Sequence, residues 1–482
     1  MSEASMPFVA GQADHGDAEL RRGVMKVRHL VVFVVGAAAP LTILIGFAPL
    51  GLSVAGAALP VAYLIPGMVY MLFAVGFTAM SRHFHGSGAF YAYIAEGLSS
   101  IAGAGAAMLA YLGYLGGQVG FVLACGIFSS AAIATLLGVT PSVYLCAIVV
   151  AILVALIGYF KVDVGAKVLA VLMALELGCL AVFCVAVLFR GGYEGLGFDG
   201  ITMSTVFSAG LVGALLITFT AFIGFEQTAI YSDECDNPRK TVSRATFIAL
   251  GILTFVYTFC AWVIVQAVGV SRMTEMLSGD PSQMVLSLNS EFVGTAMTDV
   301  LQLLIVTSFF AGCLALHNAC TRYLFNMGRN GLLPHRLGRV SPMTRTPSVA
   351  GLVQSGLVVG VIAIFALTPA DPYSQVVVWT NTPTIIAVLL LQILTSIAVV
   401  RYFRRDARGE SLWTRVIAPM MATLVLAAVV VNLVLNMGQL TGLGPLGNLV
   451  INIPLVVGFV VGVMRALVQR RHTVRLVGSV NP

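Results

Sequence analysis

The sequence predicts an all-α polytopic membrane protein of twelve transmembrane helices, built as a 5+5 inverted repeat plus two C-terminal helices, with helices 1 and 6 unwound. Three observations predict it. The first is composition: of 482 residues, 59% are hydrophobic and 10% charged, with a mean hydropathy of +0.98, whereas a soluble domain is about 25% charged. The second is the placement of basic residues along the chain. The third is a pair of membrane-length apolar runs that are broken in corresponding places, the sequence mark of a secondary transporter with its site at the breaks.

Twelve apolar spans fall at about 29–54, 58–80, 100–136, 142–160, 165–189, 205–231, 245–269, 296–327, 348–368, 374–400, 416–436 and 446–468. Each can supply the roughly 20 apolar residues that one crossing needs. The third and eighth exceed one crossing and are expected to carry helical extensions or turns. With both termini on one side, that side holds 24 of the 26 Lys and Arg residues, leaving only Arg190 and Arg272 on the other. This is the positive-inside asymmetry, so both termini are expected in the cytoplasm. The net charge of +6 then reflects topology, and no nucleic-acid partner is inferred from it. Arg outnumbers Lys by 22 to 4, a composition that fits a high-GC bacterial genome and a bacterial cell membrane.

The expected organisation is an N-terminal cytoplasmic tail (1–28), a twelve-helix transporter domain (29–468) and a C-terminal cytoplasmic tail (469–482). Within the domain, repeat one covers about 29–189, repeat two about 205–400, and helices 11 and 12 about 416–468. The first 28 residues are polar and include Asp14, Asp17 and Glu19. They lack the basic-then-apolar layout of a cleaved signal peptide, so the first span is expected to stay. Seven of the eight cysteines fall in apolar spans, and Cys235 in a loop. Without CxxC or Cys/His spacing, they read as small packing residues, and neither a metal nor a cofactor is expected.

The first run, Leu30 to Val54, is interrupted by Gly36-Ala37-Ala38-Ala39-Pro40. Pro40 lacks an N–H and clashes with the preceding turn, freeing the Gly36 carbonyl. The sixth run is interrupted by Phe222-Ile223-Gly224-Phe225-Glu226 and leaves the apolar phase through Ser232 to Lys240. Freed backbone groups and a carboxylate are tolerated at membrane depth only where they line a cavity or are buried in protein. Helix ends at such breaks favour a carboxylate at an N-terminus and an ammonium at a C-terminus, the charge pair of a zwitterionic amino acid.

Only Glu176 and Glu226, of twenty acidic residues, lie well inside a span. A charged group there costs about 2.5–3.5 kcal/mol on insertion scales, so each needs a reason. Glu226 either accepts hydrogen bonds from amides freed at the break or takes part in gating and coupling. Glu176 has no basic residue within a helical turn. It is either a protonated carboxyl bonded to a neighbouring helix or a proton-coupling group. Tyr111, Tyr114 and Gln118 in the third span are candidate cavity residues. Trp379, with Asn381 and Thr382, reads as an outer gate or an interfacial anchor, and His317 as a titrating or a packing residue. Gly113, Gly116, Gly117 and Gly120 form overlapping small-xxx-small pairs, which serve close helix packing or line a path with backbone.

At these residues the chain resembles the amino acid–polyamine–organocation superfamily of permeases. The 219–244 stretch is similar to the superfamily's sixth-helix pattern through Phe222, Gly224, Phe225, Glu226, Glu234, Asn237, Pro238, Arg239 and Lys240. Arg322 to Pro334 resembles the loop after helix eight, and Pro66-Gly67 with Ser87 to Tyr93 resembles helix two and the start of helix three. The resemblance implies a LeuT-like fold and a substrate cradled by Gly36, Ala37, Ala38, Ala39, Pro40, Thr42, Phe222, Ile223, Gly224 and Phe225. Two departures stand out. Many members carry a Gly-Ser/Thr-Gly run where this chain has Pro40-Leu41-Thr42, which opens the way to a substrate other than a standard α-amino acid. Some proton-coupled members place a Lys near the position of Glu176, and the resemblance implies that proton movement on Glu176 takes over its function.

The reading is a secondary active transporter of amino acids or related amines, coupled to protons, with sodium coupling through hydroxyls such as Thr307 or Ser308 left open. Its partners are a small-molecule substrate, the coupling ion and the lipid bilayer. The alternatives are an exchanger without ion coupling and, outside transport, a membrane-embedded enzyme. No nucleophile–base pair at membrane depth supports the last.

Overall fold

The computed structural model describes residues 26–84, 89–160, 166–198, 201–230, 235, 237–341 and 346–478, and these contain no β-strand. The helices follow in order: α1 (Val27–Ala37), α2 (Pro40–Gly46), α3 (Ala48–Ala55), α4 (Leu59–Ser81), α5 (Ala89–Gly97), α6 (Ser100–Leu137), α7 (Val143–Phe160), α8 (Ala166–Arg190), α9 (Met203–Val206) and α10 (Ala209–Thr220). Then come α11 (Gln227–Ile230), α12 (Pro238–Val268), α13 (Met273–Ser278), α14 (Met284–Phe292), α15 (Thr295–Arg329), α16 (Ser348–Ala366), α17 (Val378–Arg405), α18 (Ala418–Asn436), α19 (Gly438–Thr441) and α20 (Pro445–Gly478). Residues 231–234, with Asp233 and Glu234, as well as Asp236 and Ser87-Gly88, lie outside the described residues.

Eleven helical stretches among the described residues are long and apolar enough to cross a membrane. The chain is therefore a multi-pass membrane protein. The region expected as the sixth span is the one that differs. Its apolar helix α10 has 12 residues, about 18 Å at 1.5 Å per residue, short of the roughly 30 Å hydrocarbon core.

Local chemistry sets the ends. Ser99 Oγ accepts the Ala102 amide at 3.1 Å and Ser208 Oγ the Leu211 amide at 3.1 Å, satisfying first-turn donors of α6 and α10. Gly138 closes α6 at φ 68°, a left-handed position that glycine takes without strain.

The glycine stripe of α6 packs against α17. A Cβ on Gly113 would stand 2.6 Å from Ala387 Cβ, one on Gly116 2.6 Å from Thr380 O, and one on Gly120 2.1 Å from Asn381 Nδ2. Thr384 Oγ1 donates to Gly113 O across the seam at 2.8 Å. Close packing is thus what these glycines serve. All eight cysteines are buried.

Candidate functional site

Both interrupted runs are broken in three dimensions, and the breaks meet. In the first, α1 ends at Ala37 and α2 restarts at Pro40, whose missing N–H suits a first helical position. Between them Ala39 sits at φ 45°, ψ 68°. Ala39 and Arg408 are the non-glycine residues with positive φ among those described. A Cβ-bearing residue there is strained, so the surroundings hold it.

In the second, residues 221–226 form successive turns between α10 and α11, with Gly224 at φ 115°. Their backbone bonds span three residues: Ile223 N to Thr220 O at 3.1 Å, and Phe225 N to Phe222 O at 3.3 Å. Glu226 supplies the rest. Its Oε2 accepts the Gly224 amide at 2.9 Å, and its Oε1 accepts the Tyr114 hydroxyl at 2.7 Å. Glu226 therefore holds the turn to α6, and both its oxygens are engaged.

Tyr257 of α12 joins the two breaks. Its buried hydroxyl stands 3.0 Å from Ala38 O and 3.0 Å from Ala221 O, sharing one proton between carbonyls freed at the two interruptions. Tyr70 of α4 acts beside it, donating to Phe219 O at 3.1 Å. The rings of Phe222 and Phe225 are fully buried. They pack on Tyr70 with centroids 5.5 and 5.2 Å away, and Phe222 also meets Tyr257 at 5.3 Å. These two aromatics thus seat the second break in the core, while Ile223 is only partly buried.

Glu176 ends a second polar link. Thr42 Oγ1 donates to Ser308 Oγ at 2.8 Å, and Ser308 Oγ donates to Glu176 Oε2 at 3.0 Å. This string ties α2, just beyond the first break, through α15 to α8. Ala38, Ala39, Pro40 and Thr42 are buried; the backbone of Ala37 belongs to α1 and its side chain lies outside the described residues. A Cβ on Gly36 would stand 3.4 Å from Met173 Sδ on α8.

Other candidates stand apart from the breaks. Tyr111 donates to Gln354 Oε1 at 3.0 Å, Gln354 Nε2 donates to Gln118 Oε1 at 2.7 Å, and Gln118 Nε2 lies 3.4 Å from His317 Nδ1. That buried network joins α6, α15 and α16. Trp379 Nε1 donates to Thr441 O at 2.8 Å. Tyr257, Tyr70 and Gln354 are the polar residues that the sequence reading missed. Inside apolar runs nothing but their own hydroxyl or amide marks them. No group of three or more His, Cys, Asp or Glu side chains suited to a metal occurs among the described residues.

A family model described as amino acid permease matches residues 27–461. The chain belongs to the amino acid permease family. The chain is 25% identical to the low-affinity putrescine importer of Escherichia coli over 316 residues, 62% of this chain and 65% of that one. It is 28% identical to the methylthioribose transporter of Bacillus subtilis over 153 residues, 31% of this chain and 32% of the relative. The branched-chain amino acid permease of B. subtilis is 28% identical over 142 residues, 29% of each chain. The chain thus spans from under a third to just under two thirds of the length of these relatives. Its family and relatives are transporters rather than enzymes.

Proposed function

We propose that the chain is a secondary active transporter of amino acids or related amines, working as a proton-coupled symporter in the cell membrane with both termini cytoplasmic. In this reading α10, the 221–226 turns and α11 together make the sixth of twelve crossings. Two inverted five-helix repeats and two closing helices then give a LeuT-like fold. The observation that carries the reading is the meeting of two broken spans at one hydroxyl, Tyr257, 3.0 Å from a carbonyl of each. Amides of the first turn of α2, at Leu41 and Thr42, have no partner within their helix and would receive a substrate carboxylate. Carbonyls at the end of α1 would receive an ammonium. The putrescine, branched-chain amino acid and methylthioribose transporters among its relatives support a small polar or zwitterionic cargo.

Glu176 is the proton carrier in this reading. Its link through Ser308 to Thr42 lets a change of charge on α8 alter the hold on α2. Glu226 is the gate, because releasing Tyr114 would free the second break from α6. The test is uptake of labelled amino acids and amines into proteoliposomes with and without an inside-alkaline gradient. Gradient-driven accumulation is expected, and Glu176→Gln should abolish accumulation while sparing counterflow. Uptake only into preloaded vesicles, unaffected by Glu176→Gln, would establish exchange instead.

A further inference from the structure

The ends of α15 and α20 meet in one basic corner. Beyond α15 a tight turn, His335–Gly338, folds back on the last helical turn: a Cβ on Gly338 would stand 2.8 Å from Arg329 N and 3.0 Å from Arg329 Cγ. The end of α20 closes the corner. Gln469 Nε2 donates to Asn330 O at 3.2 Å, and a Cβ on Gly331 would stand 2.6 Å from the same nitrogen. Arg465 lies one helical turn before Gln469 and so shares its face. Arg329, Arg336, Arg339 and Arg465 are exposed, and no ion pair among the described residues includes any of them. The sequence explains why. No Asp or Glu occurs between Asp299 and Asp371 or after Glu410, so both segments bring only positive charge. The loop after α17 is the contrast: Arg401, Arg404 and Arg405 run into Asp406 and Glu410, and Arg408 lies 3.7 Å from the Asp406 carboxylate.

We propose that this corner binds the headgroup of an anionic phospholipid. From Pro445 to Arg465, α20 rises about 30 Å at 1.5 Å per residue, the thickness of the hydrocarbon core, which puts Arg465 at headgroup depth. Beside it Met464, Leu467 and Val468 are exposed on the same membrane-length helix. A lipid whose phosphate meets the arginines therefore keeps its acyl chains along α20. A guanidinium presents a planar fork that matches two phosphate oxygens, and basic residues clustered at the end of a membrane helix attract anionic headgroups. The continuity of charge with exposed apolar surface favours a lipid over a soluble anion. The inference concerns the membrane rather than the cargo, so it stands whatever the coupling mode.

The experiment titrates the detergent-purified full chain with phosphatidylglycerol, with phosphatidylcholine of the same acyl chains and with inorganic phosphate, and reads the thermal midpoint. Phosphatidylglycerol should raise the midpoint by several degrees at low salt, and less in high salt, where screening shortens the reach of the charges. Arg336→Gln/Arg339→Gln/Arg465→Gln should weaken the apparent affinity for it about tenfold or more. Arg401→Gln/Arg404→Gln/Arg405→Gln removes the same charge from the other corner and should leave that affinity within about twofold. Equal protection by phosphatidylcholine, or an unchanged affinity in the first triple variant, would overturn the proposal. An equal loss in both triple variants would overturn its assignment to this corner. Inorganic phosphate matching phosphatidylglycerol would overturn the lipid in favour of a free anion. Should the first triple variant fail to fold, Arg336→Gln alone decides the place, with a weakening of about threefold expected and none overturning it.

Discussion

Tyr257 and Tyr63 are neighbours with ring centroids 5.5 Å apart, and both are fully buried. Their hydroxyls have opposite fates. That of Tyr257 is shared by Ala38 O and Ala221 O, whereas that of Tyr63 has no protein partner. Removing a donor from buried acceptors costs about 1–3 kcal/mol, while deleting an unpaired polar atom is close to neutral or stabilising. Tyr257→Phe should therefore lower the thermal midpoint in detergent by several degrees and slow uptake. Tyr63→Phe should leave the midpoint unchanged or raise it. Equal losses in the two variants would mean that ring packing, not the bridge between breaks, gives Tyr257 its importance. The two interior carboxylates illustrate what sequence reading can and cannot find. Glu176 and Glu226 are visible as charges inside apolar runs, because a charge in lipid demands an explanation. Their partners Ser308 and Tyr114 come from distant segments, so the bonds themselves are not legible. Tyr257 and Tyr70 lie in apolar runs with no Gly, Pro or charged residue next to them to single them out, and so they stayed hidden.

At the scale of helices, the α6–α17 seam holds Asn381 in place. Gly120 lies against Asn381 so closely that an added Cβ would stand 2.1 Å from Nδ2 and 2.9 Å from Thr380 Oγ1. Gly120→Ala must push α17 away or turn Asn381 out of its bond to Val377 O. Overpacking of this kind costs about 1–3 kcal/mol. The expected outcome is a lowered thermal midpoint in detergent; full retention of it would show that the seam yields freely. Helix positions and breaks follow from sequence because hydropathy and Gly/Pro chemistry are local. Pro40 and Gly224 announced the two interruptions, and the residues between Gly113 and Gly120 announced a close contact. Which helix that stripe meets is a tertiary fact, set by Thr380, Asn381, Thr384 and Ala387 more than 250 positions along the chain. The short α10 marks the limit of span counting: a hydropathy window runs across the break because 221–225 are apolar, although the backbone of 221–226 is not helical.

Across the whole molecule, the loop after α4 is tied to the loop after α17. Arg82 donates to both oxygens of Glu410, Nε at 2.9 Å and Nη2 at 2.8 Å, and His83 Nε2 lies 3.0 Å from Oε1. Arg408 braces the same corner through Tyr402 and the His83 carbonyl. Partial burial works to raise the Glu410 carboxyl, but the bonds from Arg82 and His83 outweigh it and hold the group below the usual carboxylate range. A carboxyl depressed in the folded state contributes stability that is fully present above its unfolded pKa, about 4.3, and lost as pH falls through the folded value. Glu410→Gln removes the charge that Arg82 meets, so its thermal midpoint should lie below that of the wild type at pH 7. The gap should shrink once the pH drops below about 4.3 and close when the wild-type carboxyl is protonated as well. A gap that stays constant from pH 7 to strongly acidic conditions would assign the loss to packing rather than charge. Under the proposed two-repeat reading, the tie would join the loop after α4, within the first repeat, to the loop that follows the second, and its loss should then also ease relative motion of the two halves. Faster counterflow at neutral pH in Glu410→Gln, with lower stability, is the paired signature expected of a brace between moving parts.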